Sequence, residues 1–223
     1  MILAFDTSTP WLGVALVEGK EVFFRVTEYT RASHSLLLMQ YLELLDARFS
    51  FREHLEGIVV GLGPGSFTGV KVGAIIAKGL AYALQVPLGG FSTFEVLASL
   101  ARRLDTGQFE VVVPVIFHRK GEVFWVEFQK GATSLSSFQV GSPEDFLAQY
   151  KGRNDVFVVT PWRNLWELFV RAGIFCADPS QAIPDPLELV ILFKERKGGS
   201  TENIFSMLPL YGSRVFERES ASR

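Results

Sequence analysis

Four consecutive residues near the amino terminus, Asp6-Thr7-Ser8-Thr9, set one carboxylate ahead of three hydroxyls. In a nucleotide-binding fold such a group can hold a metal-bound water on the carboxylate while hydroxyls and main-chain amides meet phosphate oxygens. The same residues also make an Asx-type turn closed by its own aspartate. Both readings stand. A second group is Gly61-Leu62-Gly63-Pro64-Gly65-Ser66-Phe67-Thr68-Gly69. Glycines this closely spaced let backbone amides approach an anion or a neighbouring strand, and the loop opens a helix N-terminus. It is not a Walker A loop, because Lys71 lies two residues past Gly69 and Val72 follows it. Candidate phosphate or nucleotide residues are therefore Asp6, Thr7, Ser8, Thr9, Gly63, Gly65, Ser66 and Thr68, in a site read as vestigial and mainly structural.

A third pattern is a row of small residues, Gly69, Gly73, Ala77 and Ala81, at successive i+4 positions of one helix. Two glycines inside a helix each cost about 1 kcal/mol relative to alanine, so a close packing contact has to offset them. The contact is either another part of the same domain or a helix from a partner. On the partner reading, Leu38, Met39 and Leu42 are the neighbouring apolar anchors, and the flexible Met39 thioether suits a surface that meets more than one partner.

Other chemistries lack their residues. The histidines are His34, His54 and His118, with no pair at i, i+4, so no metal site of that kind is expected. No G-x-S-x-G elbow is present. Asp105-Thr106-Gly107 superficially repeats the first aspartate-threonine turn, but it follows a helix carrying Arg102 and Arg103 and reads as a domain-joining turn. Without a second carboxylate loop a phosphotransferase lacks its base and half of its metal shell. No catalytic residue and no metal ligand is assigned.

The elements that position these groups follow from periodicity. Ile2–Phe5, Trp11–Val17 and Val22–Thr27 are three apolar strands with connections too short for a parallel crossover, hence antiparallel neighbours. Leu37, Leu38, Tyr41, Leu42, Leu45 and Phe49 give one apolar face to a helix over 33–48, with Ser33 or Ser35 as N-cap. A strand at 57–62 runs through the glycine loop into a helix over 70–84, and residues 94–104 are helical again. Nine of the 20 glycines fall within residues 57–90, a concentration that signals unusual backbone demands. Beyond 105 come strands at 111–117, 122–128 and 155–160 and helices after Ser142, over 162–171 and over 187–194. Residues 196–201 read as a flexible linker. The expected class is α/β with mixed sheets and helical crossovers, divided into residues 1–104 and 105–223.

Composition bounds the rest. The chain has 223 residues, 48% apolar with 20 Phe, and a net charge of −2, which excludes disorder. Residues 1–100 carry −2 and residues 101–223 are neutral, so neither part grips nucleic acid by counterion release alone. The single Cys176 makes no internal disulfide and reads as a buried thiol. The Met1–Asp6 start has no signal-peptide pattern and no apolar run suffices for a span, so a cytoplasmic protein with no membrane partner is expected.

The block from Gly61 through Gly73, continued by Ala77-Lys78-Gly79-Leu80-Ala81, closely resembles the TsaB family, also called YeaZ. Asp6-Thr7-Ser8-Thr9, His34-Ser35, Val86-Pro87-Leu88 and Ser92-Thr93 add to the likeness, which is dense over residues 1–100. Gly121-Glu122-Val123-Phe124-Trp125 and Pro209-Leu210-Tyr211 extend it. Leu36 stands where the family usually has an acid, and Phe117 where it usually has Asp. The resemblance implies an actin/hexokinase/Hsp70-like (ASKHA) fold of two lobes, the second degenerate. It implies a non-catalytic activating subunit that pairs, through its first two helices, with a TsaD-like paralogue adding the threonylcarbamoyl group to tRNA adenosine. A TsaE-like ATPase completes the assembly, tRNA is met only through the complex, and the chain alone forms a homodimer. No cofactor is tightly bound; weak ATP or ADP with Mg at the partner interface is the expectation. An active ATPase or sugar/acyl kinase of the same superfamily is the alternative, and a glycoprotease-like peptidase a remoter one.

Overall fold

Strand β1, Ile2–Asp6, lies mid-sheet and buries every one of its side chains because helices cover both faces of that sheet. It is the third of five strands ordered β3-β2-β1-β4-β5, formed with Trp11–Glu18 (β2), Glu21–Tyr29 (β3), Gly57–Gly61 (β4) and Leu88–Phe91 (β5). The first three pair antiparallel, as their short connections require, while β4 and β5 join parallel through helical crossovers. Helices α1 (His34–Phe49) and α3 (Phe67–Leu84) supply those crossovers, with a four-residue helix α2 (Phe51–His54) that periodicity does not announce. The computed structural model describes residues 1–30, 34–104, 107–118, 121–130, 138–196 and 208–210. Ser33, Asp105-Thr106, the linker beyond Arg196 and Tyr211 lie outside them.

One face of the sheet packs Leu3, Phe5, Leu12, Val14, Leu16, Ile58 and Val60 with Leu38, Leu42 and Leu45 of α1 and Ala77 and Ala81 of α3. Against the alternate residues packs the last helix, α7 (Pro186–Glu195), which returns from far along the chain. Its geometry explains three glycines. A Cβ on Gly13 would reach the Pro186 ring at 3.0 Å, and Cβ atoms on Gly57 and Gly89 would come to 2.9 and 2.5 Å from the Phe193 ring. Asp185 caps α7 by accepting from the Leu187 amide, and Arg25 of β3 donates two hydrogen bonds to the same carboxylate. Proline follows the cap at the first helical position, where its missing N–H costs nothing.

Contacts divide the chain into two units, Met1–Thr93 with Asp185–Arg223, and Phe94–Pro184. The division differs from the sequence expectation of a single boundary after residue 104. Helix α4 (Thr93–Leu104) places Phe94, Leu97, Ala98 and Ala101 in the core of the second unit, and α7 belongs to the first. The sequence pattern identifies α4 and α7 as helices but carries no record of which sheet each covers.

The second unit has a sheet of five described strands. Val111–Phe117 (β6) pairs parallel with Val156–Val159 (β10) and antiparallel with Val123–Trp125 (β7) and Phe128–Gln129 (β8). The single strand expected over 122–128 is interrupted at Val126-Glu127, where Glu127 accepts from both Tyr150 and Arg153. Gln139–Gly141 (β9) forms the edge beside β7 and has no clear sequence signal. Helix α5 (Pro143–Tyr150) begins in a capping box between Ser142 and Asp145, and α6 (Arg163–Arg171) follows β10. Phe146, Tyr150, Leu165 and Phe169 fill the core with β6, β7 and β10.

Candidate functional site

The turn after β1 is sealed by the glycines that follow β4. Asp6, Thr7, Ser8 and Thr9 are all at most 4% exposed. Gly61 sits beside Asp6, one residue past the last β1–β4 pair of Phe5 with Val60, so close that a Cβ there would lie 2.3 Å from the carboxyl carbon. A Cβ on Gly65 would come to 2.0 Å from the Ser8 carbonyl oxygen, and one on Gly69 to 2.0 Å from that of Thr7. Gly73 faces the Thr7 hydroxyl at 2.5 Å in the same sense. Four glycines at i+4 spacing thus seat one loop and one helix against one turn.

Hydrogen bonds complete the seal. Ser66 N–H donates to the Ser8 carbonyl (2.6 Å), and the Thr7 hydroxyl donates to the Gly69 carbonyl (2.7 Å). Ser8 N–H donates to Asp6 Oδ1 at 2.7 Å, closing the Asx-type turn, and Ser8 Oγ meets Thr93 Oγ1 at 3.1 Å. Ser66 caps α3 by accepting from Gly69 N–H, while Thr68 is exposed on the first turn and does not reach the Asp6 turn. Gly63, at φ +81°, accepts from Thr93 N–H and has Val70 against its α-carbon. Among the described residues Asp6 Oδ2 has no hydrogen-bond partner. Burial pushes the Asp6 carboxyl above its ordinary range, opposed by the bonds from Ser8 and the charge of His34. The proposed phosphate residues are therefore brought together, Thr68 apart, but several of their donors and acceptors are spent on one another.

The small-residue row faces inward, which corrects its assignment to a partner surface. Gly69, Gly73, Ala77 and Ala81 are buried against Thr7, Val60 and the core of the chain's own sheet. Leu38 and Leu42, at 0% and 6% exposure, are core residues as well. Of the three expected anchors only Met39, at 45%, lies outside. The packing cost that two helical glycines demand is offset by the β1–β2 turn, not by another helix.

The outer side of the same two helices has what the inner row does not. Leu36 and Leu44 join Met39 on α1, and Phe67, Ile75 and Tyr82 stand out on α3. Ile75 is 69% exposed. Phe67, Lys71 and Ile75 are one i+4 row, with the Lys71 ammonium 3.8 Å from the Phe67 ring centroid. The two helices pack against each other. The signal is in the sequence, two residues out of phase with the glycines, but apolar residues on a mostly apolar helix do not announce which side is wet. Helix α3 also has the length and composition to cross a membrane, contrary to the sequence expectation, yet its inner face is built into the sheet.

A family model described as TsaD: tRNA N6-adenosine threonylcarbamoyltransferase matches residues 26–154. The chain is 36% identical over 213 residues to the tRNA threonylcarbamoyladenosine biosynthesis protein TsaB of Bacillus subtilis, covering 91% of each. A Pseudomonas aeruginosa crystal structure described as similar to peptidase YEAZ superposes with a TM-score of 0.76 at 29% identity, over 94% of this chain and 98% of that one. The ethanolamine utilization protein EutJ of Carboxydothermus hydrogenoformans, at 12% identity and a TM-score of 0.51 over 85% and 89%, shares the fold alone. That fold is the actin-like ASKHA architecture.

Proposed function

The chain belongs to the TsaB family, and from that premise we propose that it is the non-catalytic subunit that activates a TsaD-type paralogue in making threonylcarbamoyladenosine in tRNA. The observation that carries the reading is the outer face of α1 and α3, where Leu36, Met39, Leu44, Phe67, Ile75 and Tyr82 leave large apolar side chains in water. Large apolar side chains left exposed together on two packed helices mark a protein interaction site. On this reading the paralogue docks there, and the same face supports a homodimer when the paralogue is absent. The sealed Asp6 turn gives the fold a reason to keep the residues of a nucleotide site without using them for chemistry. ATP or ADP with Mg binds weakly and only with the partner in place, a TsaE-type ATPase joins the pair, and tRNA contacts are made by the assembly in the cytoplasm. The ATPase or kinase and the peptidase readings are not favoured beside relatives named as tRNA threonylcarbamoyladenosine biosynthesis proteins. Co-purification with a TsaD-type protein, and tRNA modification assayed with and without this chain, test the proposal. Full modification without the chain would sink it.

A further inference from the structure

A short segment near the carboxyl end lies on the glycine loop. Leu210 N–H donates to the Leu62 carbonyl at 2.8 Å, and the Leu210 carbonyl oxygen would lie 3.2 Å from a Cβ on Gly63. Gly63 is held between that segment and Val70 of α3, whose side chain would be 2.9 Å from the same Cβ. The Gly63 carbonyl accepts from Thr93 N–H, and Leu62 N–H donates to the Phe91 carbonyl. At the same strand end Arg196, just past α7, places its guanidinium 4.5 Å from the Phe91 ring centroid. The chain thus leaves α7 at Phe91 and is back at Phe91's hydrogen-bonded neighbour, Leu62, by residue 210. Both anchors are at the carboxyl ends of β4 and β5, and Leu62 is five residues before Phe67, which opens the exposed face of α3.

The attachment is slight. Leu208 is 60% exposed, Pro209 has no N–H, and Leu210 is half-buried, so among the described residues one main-chain hydrogen bond and the contact with Gly63 do the holding. Segments held by so few contacts open at low free energy, independently of the core. Gly63 is also a position where release matters, since its positive φ and its contacts with Leu210, Val70 and Thr93 fix the path of the loop into α3.

We propose that Leu208–Leu210 is a releasable strap that clamps Gly63 against α3, sets the pose of Phe67, and so couples the carboxyl end of the chain to the pairing face. The coupling half rests on the pairing function proposed above; the strap half does not. Leu210→Pro removes the one N–H and leaves the fold's other bonds in place, whereas Leu210→Ala keeps it. A chain ending at Met207 lacks the strap, and one ending at Leu210 retains it. Hydrogen exchange at the Val70 and Thr93 amides should quicken about tenfold in Leu210→Pro and in the chain ending at Met207, and stay unchanged in the other two. Affinity for the TsaD-type partner, read by calorimetry, should fall several-fold in the same two proteins only. Unchanged exchange in the chain ending at Met207 overturns the strap. Faster exchange with unchanged affinity overturns the coupling. If the wild-type chain does not pair at all, it is the proposed function that fails, and the exchange measurements still decide the strap.

Discussion

The α-carbon of Gly69 rests on the carbonyl of Thr7 so closely that a single added methyl would come to 2.0 Å from the oxygen, while the Thr7 hydroxyl donates to the Gly69 carbonyl. The two residues are 62 positions apart, and their contact joins the turn after the first strand to the first turn of α3. Backbone meets backbone here, so neither side can yield by changing rotamer.

Alanine substitutions along this one helix should therefore differ in sign. Gly69→Ala is expected to destabilise by about 3 kcal/mol or more, at the upper end for overpacking, because the obstruction is main chain. At Gly79 an added Cβ meets nothing within 4 Å, so Gly79→Ala should stabilise by about 1 kcal/mol through helix propensity alone. Urea unfolding of both variants checks this, and equal effects would refute the sealed turn.

Asp6 predicts a pH dependence of definite sign. Its carboxyl is held above the ordinary 3.8 chiefly by burial, so the folded chain keeps the proton more tightly than the unfolded one. The stability contributed by neutral Asp6 is complete below 3.8 and is lost as pH rises through its folded value, then stays level. Asp6→Asn, whose Oδ1 can still accept from Ser8 N–H, should flatten that part of the curve. Denaturant midpoints measured across the acid range, wild type against variant, decide it; an identical slope in both would count against the assignment.

Inner and outer positions of α1 and α3 should separate stability from association. Leu38→Ala should cost about 2–5 kcal/mol of monomer stability, and Ala77→Leu about 1–3 kcal/mol by overpacking. Met39→Asp and Ile75→Asp should leave the melting temperature nearly unchanged and weaken both self-association and pairing. Thermal melts alongside sedimentation make the comparison, and an outer variant that associates normally would remove the face from the interface.

The last helix is expected to be part of the first unit's core in energy as well as in geometry. Phe193 fills the space left by Gly57 and Gly89, so Phe193→Ala should cost about 3–5 kcal/mol. Asp185→Ala should cost about 1 kcal/mol for the lost cap, with little added for the Arg25 pair because Arg25 is half-exposed. Guanidinium titration of the two variants would show the difference in size.

Much of this was legible in the residues. Three consecutive strands with short connections had to be antiparallel, the 3.6-residue period gave α1, and Ser142-Pro143 announced α5 with its cap. The clustering of glycines between residues 57 and 90 signalled close approach, and close approach is what Gly61, Gly65, Gly69 and Gly73 make possible. The likeness to the TsaB family rested on that same block and on the Asp6 turn.

By itself the sequence determined local conformation and the demand for a small-residue contact, because propensity, period and the missing Cβ are properties of neighbouring residues. It left open what meets the Gly69–Ala81 row, which of Leu38, Met39 and Leu42 faces water, and where α4 and α7 belong. Those are questions of which surfaces meet, decided by contacts between residues as distant as Thr7 and Gly69 or Gly57 and Phe193. Only the tertiary structure could turn the glycine row inward onto the β1–β2 turn, because the free energy that favours it resides in the long-range contact and not in either segment.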